Sequence, residues 1–381
     1  MKRGLEVYIH IPFCVKKCDY CDFLSGPGTL ETQKAYFSAL RKELQAASDR
    51  DCQVDTVFIG GGTPSCAQPE EIAGILEEVR KNFLLSEQAE ISMEANPGTL
   101  TGEKLAIYRQ AGINRLSIGC QSLSDRELKE LGRIHTVKEF EESFYLAREA
   151  GFTNINVDLM SGIPGQTLQS WEENLLRLMG YRPEHISAYS LIVEEGTPFA
   201  CRNLDLPDEE TERMMYERTG ELLGQQGYQQ YEISNYAKKG FACRHNIGYW
   251  ERKEYLGFGL GAASLWNKTR FANTGKMETY LENSGNLHRI RKNKEVLDQK
   301  SEMEEFLFLG LRMTKGISEA DFEKYFHLSL TQVYKDAIQK HEALGLLKRE
   351  QGRLFLTRKG ISLSNQVFVD FLLDEEWERE Q

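Results

Sequence analysis

Six short runs of β-branched and aromatic residues recur along the first half of the chain: LEVYIHI (5–11), VDTVFIGG (54–61), EISMEAN (90–96), RLSIGCQS (115–122), INVDLMSG (155–162) and HISAYSLI (185–192). Amphipathic stretches of helical periodicity separate them at 32–48, 69–84, 101–111, 137–150 and 168–180. This spacing is that of right-handed βα units and predicts one parallel sheet, either open and doubly wound or curved into a partial barrel. In a parallel barrel the chemistry collects where strands end. Here the ends read CVKKCDYC, GGGTPS, EANP, GCQS and NVDLMSGIPGQT. Glycines, prolines, carboxylates and amides on one face describe the mouth of a site.

A helical pattern at 208–227 closes this region, and an irregular segment rich in Tyr and Gly follows. From about residue 300 the order is helix, helix, helix and hairpin, which suggests a winged-helix-like module. The expected organisation is therefore a barrel over 1–230, a connecting segment over 231–298 and an α+β module over 299–381. With 47 basic and 58 acidic residues the net charge is −11. The third helix of the module mixes Lys335, Asp336, Lys340 and Glu342. Neither feature suits a phosphate-binding surface, so nucleic acid is not expected as a partner. The apolar runs fall short of the roughly 18–20 residues of a membrane-spanning helix. The opening MKRGLEVYIHIPF has no signal-peptide core, and a cytoplasmic location is expected.

In that compartment eight cysteines are not a disulfide framework. Cys52, Cys66, Cys120, Cys201 and Cys243 are scattered and are expected to be buried apolar residues. Cys14, Cys18 and Cys21 are not scattered; they follow C-x3-C-x2-C spacing directly after a strand. Thiolates ligate iron–sulfur clusters and structural zinc. A closed zinc site needs a fourth ligand, for which His10 is available, but no second C-x2-C knuckle exists. Three thiolates on a [4Fe–4S] cube leave one iron open. Glu94, Gln121, Arg133 and Asp158 would bring two carboxylates, an amide and a guanidinium to the same mouth. That set suits a ligand with ribose hydroxyls, an ammonium and a carboxylate.

Together these motifs resemble the radical S-adenosylmethionine (SAM) enzymes, whose cysteine signature has an aromatic residue before the last cysteine, here Tyr20. Within that superfamily YIHIPFC, GGGTPS, EANP, GCQS and NVDLMSGIPGQT resemble the oxygen-independent coproporphyrinogen III oxidase family, from about residue 5 to 375. The resemblance implies a six-unit partial (β/α) barrel with a C-terminal module and a [4Fe–4S] cluster on Cys14, Cys18 and Cys21. It implies SAM contacts from Tyr8, Tyr20, Gly61, Gly62, Thr63, Glu94, Gln121, Arg133 and Asp158. It further implies that SAM chelates the open iron, and that an electron from the cluster breaks its sulfonium C–S bond to give a 5′-deoxyadenosyl radical.

Two features depart from the oxidases. Position 23 is Phe where they carry a fourth cysteine, and only thirteen residues precede Cys14 where they have a long arm. These departures, with HNIGYW (245–250) standing where the family has H-N-x-x-Y-W, resemble the haem-chaperone branch. The resemblance implies bound haem, SAM binding or cleavage, no coproporphyrinogen oxidation, and His245 as an axial ligand. Cys243 and His10 are competing ligands, Asn246, Tyr249 and Trp250 would help place the porphyrin, and Gly248 would let a loop approach it. In the plainer reading HNIGYW anchors a loop, with His245 hydrogen-bonded and Trp250 in the core. The implied partners are haem and acceptor haemoproteins, including membrane-bound respiratory proteins; peripheral membrane association and a homodimer are compatible with this. The alternatives are an active coproporphyrinogen dehydrogenase, which Phe23 disfavours, and a radical SAM RNA-modifying enzyme, which the acidic charge disfavours.

Overall fold

A computed structural model describes residues 3–373; residues 1–2 and 374–381, to which the expected first and last segments extend, lie outside the described residues. The six runs form β1 (Arg3–Ile11), β2 (Asp49–Gly61), β3 (Phe83–Ala95), β4 (Arg115–Gln121), β5 (Ile155–Ser161) and β6 (His185–Ser190). They lie side by side in chain order, all parallel. Between them run α1 (Leu30–Ala46), α2 (Pro69–Asn82), α3 (Gly102–Gln110), α4 (Asp125–Glu130), α5 (Val137–Glu149) and α6 (Leu168–Gly180). Threonine hydroxyls at positions 29, 101, 136 and 167 cap α1, α3, α5 and α6 by accepting first-turn N–H groups, which fixes where each helix leaves its loop. β4 is buried at every position, as expected of a central parallel strand with both faces covered. The result is the six-unit βα sheet that the alternation predicts, with α7 (Glu209–Gln225) packed on α6.

The segment 231–298 is not a connector. β7 (Gln229–Gln230) and β8 (Asn235–Ala237) extend the sheet beyond β6, and α8 (Arg244–Trp250) follows. β9 (Tyr255–Phe258) then pairs parallel with β1. β10 (Ala263–Trp266), β11 (Thr269–Asn273) and β12 (Arg291–Val296) continue antiparallel, to a 12-stranded sheet. Leu256, Phe258, Phe271 and Tyr280 share the core of β1–β6. Glu43 of α1 locks the addition in place. Its buried carboxylate accepts from Tyr280 Oη (2.5 Å), Gly259 N–H (2.9 Å) and Asn273 Nδ2 (2.6 Å). Burial pushes this carboxyl up to about 7.

The C-terminal part has its own core of Met303, Leu307, Phe322, Ile338 and Leu354. Its helices Gln299–Gly310, Glu319–Phe326 and Lys335–Ala343 precede the hairpin Leu347–Glu350 and Arg353–Leu356, which Ile317–Ser318 extends to three strands. It is tied to the large sheet by Arg252 and Arg270, which pair with Glu305 at 3.1 and 2.8 Å. Among the described residues no helix is long and apolar enough to cross a membrane.

Candidate functional site

Register places the cysteine and glycine loops together. Ile11 pairs with Gly61, so the chain leaves β1 and β2 at the same level. Gly62 N–H donates to Ile11 O (2.8 Å) and Thr63 N–H to Phe13 O (2.7 Å). Gly61 N–H donates to the Glu94 carboxylate (3.0 Å). The amides of Gly61, Gly62 and Thr63 are therefore engaged within the protein, and those of Gly62 and Thr63 clamp the start of the cysteine loop. Close approach explains the glycines. A Cβ at Gly62 would stand 2.6 Å from Phe13 O, and one at Gly61 (φ 117°) would stand 2.7 Å from the His10 ring. His10 fixes the other end of the loop. Its Nε2–H donates to Leu24 O (2.9 Å), which leaves Nδ1 to accept from Tyr8 Oη (3.0 Å).

Cys14, Cys18 and Cys21 are half-buried free thiols. Burial pushes the Cys14 and Cys21 thiols up, so a metal or cation is what would make them thiolates. Arg133 stands beside the third thiol, that of Cys18. Its Nη1 lies 3.5 Å from Cys18 Sγ, while Nη2 donates to Asn96 Oδ1 (2.9 Å) and Gly119 O (2.8 Å). No three His, Cys, Asp or Glu side chains among the described residues are close enough to hold one metal ion. The donor set fits a cluster, whose thiolates stand farther apart than the ligands of a single zinc. Cys52, Cys120 and Cys243 are buried as expected, whereas Cys66 is half-buried and Cys201 exposed. Cys201 ends the turn Pro198–Cys201, in which Phe199 takes the core position.

One cavity of about 440 Å³ is lined by all twelve residues assigned above to the cluster and SAM, and also by His245. Within it Glu94 is pushed up to about 8 by burial and by the nearby Asp158, whose own carboxyl is raised by burial. Gln121 adopts a left-handed φ of 67° and accepts from Tyr189 Oη (2.7 Å). Asn96, Tyr189 and Arg115 also line the cavity and were missed as site residues. Asn96 stood inside the EANP motif; the other two were legible only as inward-facing positions of strands.

HNIGYW is not a loop; it falls in α8. Glu90 of β3 receives the Arg244 and His245 N–H groups (3.1 and 3.2 Å), which satisfies the start of the helix. Gly248 packs against Glu6, whose carboxylate would have to move to admit a Cβ there. Trp250 is half-buried, with the Arg312 guanidinium 4.5 Å from its ring centre. His245 Nδ1 is 2.7 Å from Thr56 Oγ1, Nε2 is 3.0 Å from Tyr249 Oη, and the ring stacks on Phe58 at 5.2 Å. Burial, with Arg115 nearby, takes its imidazole down to about 3, so it is neutral. Of the three candidate haem ligands only His245 lines the cavity. Both nitrogens of His10 are engaged, and the buried Cys243 thiol, 3.5 Å from Glu90, is pushed up to about 12. His245, Asn246 and Tyr249 of the motif form a wall of this cavity. Phe23 stands at the mouth, 62% exposed.

Comparison with known proteins adds the following. The profile of the Radical SAM superfamily matches residues 8–178, and that of the HemN C-terminal domain matches 297–363. The chain is similar to the Heme chaperone HemW of Bacillus subtilis, 37% identical over 96% of this chain and 99% of that protein. It is also similar to the Heme chaperone HemW of Haemophilus influenzae, 38% identical over 97% and 98% of the two chains. Among solved structures, coproporphyrinogen III oxidase (HemN) from Escherichia coli, described as a radical SAM enzyme, superposes with a TM-score of 0.85. That likeness covers 97% of this chain and 90% of the other at 24% identity, and it establishes the fold.

Proposed function

The chain belongs to the HemW family of heme chaperones within the radical SAM superfamily, and from that premise we propose that it binds haem and hands it to acceptor haemoproteins on a radical SAM core. The observation that carries the reading is the single cavity into which the cysteine loop, the strand ends and His245 all open. When bound, the cluster and SAM supply one-electron chemistry that side chains lack. On this reading Cys14, Cys18 and Cys21 hold the cluster while Arg133 offsets thiolate charge. Ionised Glu94 and Asp158 receive the ammonium and ribose hydroxyls of SAM, Gly61, Gly62 and Thr63 shape the approach, and Tyr8, Tyr20 and Gln121 complete the contacts. His245 would be free to hold haem iron once the Thr56 or Tyr249 hydroxyl gives up its hydrogen bond to a ring nitrogen.

The finer parts of the reading are cytoplasmic residence, membrane-bound respiratory proteins among the acceptors, a peripheral membrane contact and a homodimer. A role without nucleic acid is supported by the net charge of −11. Phe23 at the mouth, in place of the oxidases' cysteine, supports carriage over porphyrinogen oxidation. The test is to give anaerobically reconstituted protein haem in one arm, and coproporphyrinogen III with SAM and a reductant in the other. A Soret band titrating to about one haem per chain, with no protoporphyrinogen formed, is expected. Porphyrinogen turnover without haem binding would overturn the reading.

A further inference from the structure

The cavity contains a charged side chain with a donor left unpaired among the described residues. Arg115 opens β4, at the end of the strand away from the cysteines, and is 2% exposed while lining the cavity. Its Nε is buried without a hydrogen-bond partner. The nearest carboxylates are engaged elsewhere. Glu90 receives Cys243 Sγ and the N–H groups of Arg244 and His245. Asp158 receives Asn156 Nδ2 (2.7 Å) and Ser117 Oγ (3.4 Å). Both act on Arg115 only through space. A buried guanidinium without a direct partner is costly, and its fork matches the two oxygens of a carboxylate or a phosphate. Asn235 Oδ1, also without a partner, lines the same cavity.

Charge and shape narrow the ligand. Burial keeps both His185 and His245 neutral beside Arg115, so neither adds positive charge. With Glu90 and Asp158 near, a monoanionic carboxylate is a better match than a phosphate dianion. The rings of Tyr8, Phe58 and Tyr249 line the cavity and suit a flat, unsaturated body.

We propose that Arg115 receives the carboxylate arm of a flat unsaturated ligand, which under the haem-carrier function, on which this rests, is a propionate of haem. The test compares haem with haem dimethyl ester, and in parallel SAM, on the reconstituted wild type, Arg115→Met and Arg115→Lys. Wild type is expected to prefer haem by about tenfold, as a charge-assisted fork allows. Arg115→Met should bring haem down to the ester's affinity, and Arg115→Lys should keep part of the preference. SAM affinity should hold in Arg115→Lys, whereas Arg115→Met also removes a charge that favours ionised Glu94 and Asp158. If Arg115→Met does not fold, Arg115→Lys decides, because it keeps the charge and loses the fork. Equal binding of acid and ester by wild type, or a preference that survives both substitutions, would overturn the assignment. A loss confined to SAM affinity would give the carboxylate to SAM and overturn it too. Wild type that binds neither porphyrin would bring down the haem reading itself, a different result.

Discussion

Glu94 shows how one residue couples the site to pH. Its carboxyl is pushed up to about 8, so near neutrality it is largely protonated until a cation arrives. An ammonium needs the ionised form. SAM affinity is therefore expected to rise as pH climbs toward about 8 and then level, while Glu94→Gln binds more weakly with a flatter profile. Calorimetric titration across pH checks this, and a wild-type profile as flat as the variant's would remove Glu94 from the ammonium site. At this scale sequence reading did well for residues that motifs carry. Cys14, Cys18, Cys21, Glu94 and Arg133 all face one cavity. It did poorly where the partner is remote. Thr56, 189 positions away in the chain, holds Nδ1 of His245. No local pattern records such a pairing.

Among the elements, the six βα units were legible because each strand is a short run rich in β-branched and aromatic residues that ends in turn residues, and most helices between them carry a threonine cap or an amphipathic pattern. β9 to β12 were not. They are only four to six residues long, and β12 is largely exposed, so the periodicity that identifies a strand has no room to appear. What fixes them is tertiary, through Glu43 on α1. Replacing Glu43 with Ala strands Tyr280 Oη and the Gly259 N–H without their acceptor, at a cost of roughly 3 kcal/mol. Denaturant unfolding should show that loss, with exchange protection reduced first in β9 to β11. Unaltered stability would mean that apolar packing alone docks the segment.

For the whole molecule, buried titratable groups set the pH range of the apo fold. His135 and His245, lowered from 6.5 to about 4 and about 3, add stability present above pH 6.5 and lost as pH falls through those values. Glu6 and Glu94, raised from 4.5 to about 8, and Glu43, raised to about 7, add stability present below pH 4.5 and lost as pH rises through those values. The melting temperature of the apo protein should therefore peak between about pH 4.5 and 6.5 and decline toward 8. Scanning calorimetry reads this, and a Tm still climbing from pH 6.5 to 8 would contradict it. The central claim is that one cavity serves a carrier of haem. Haem transfer tests it most directly: haem-loaded, cluster-reconstituted protein is mixed with an apo-haemoprotein, and the Soret bands of donor and acceptor are followed with and without SAM. The account predicts loss of the donor band with matching growth of the acceptor band. Haem that stays on the donor, or moves no faster than free haem binds the acceptor, would contradict it.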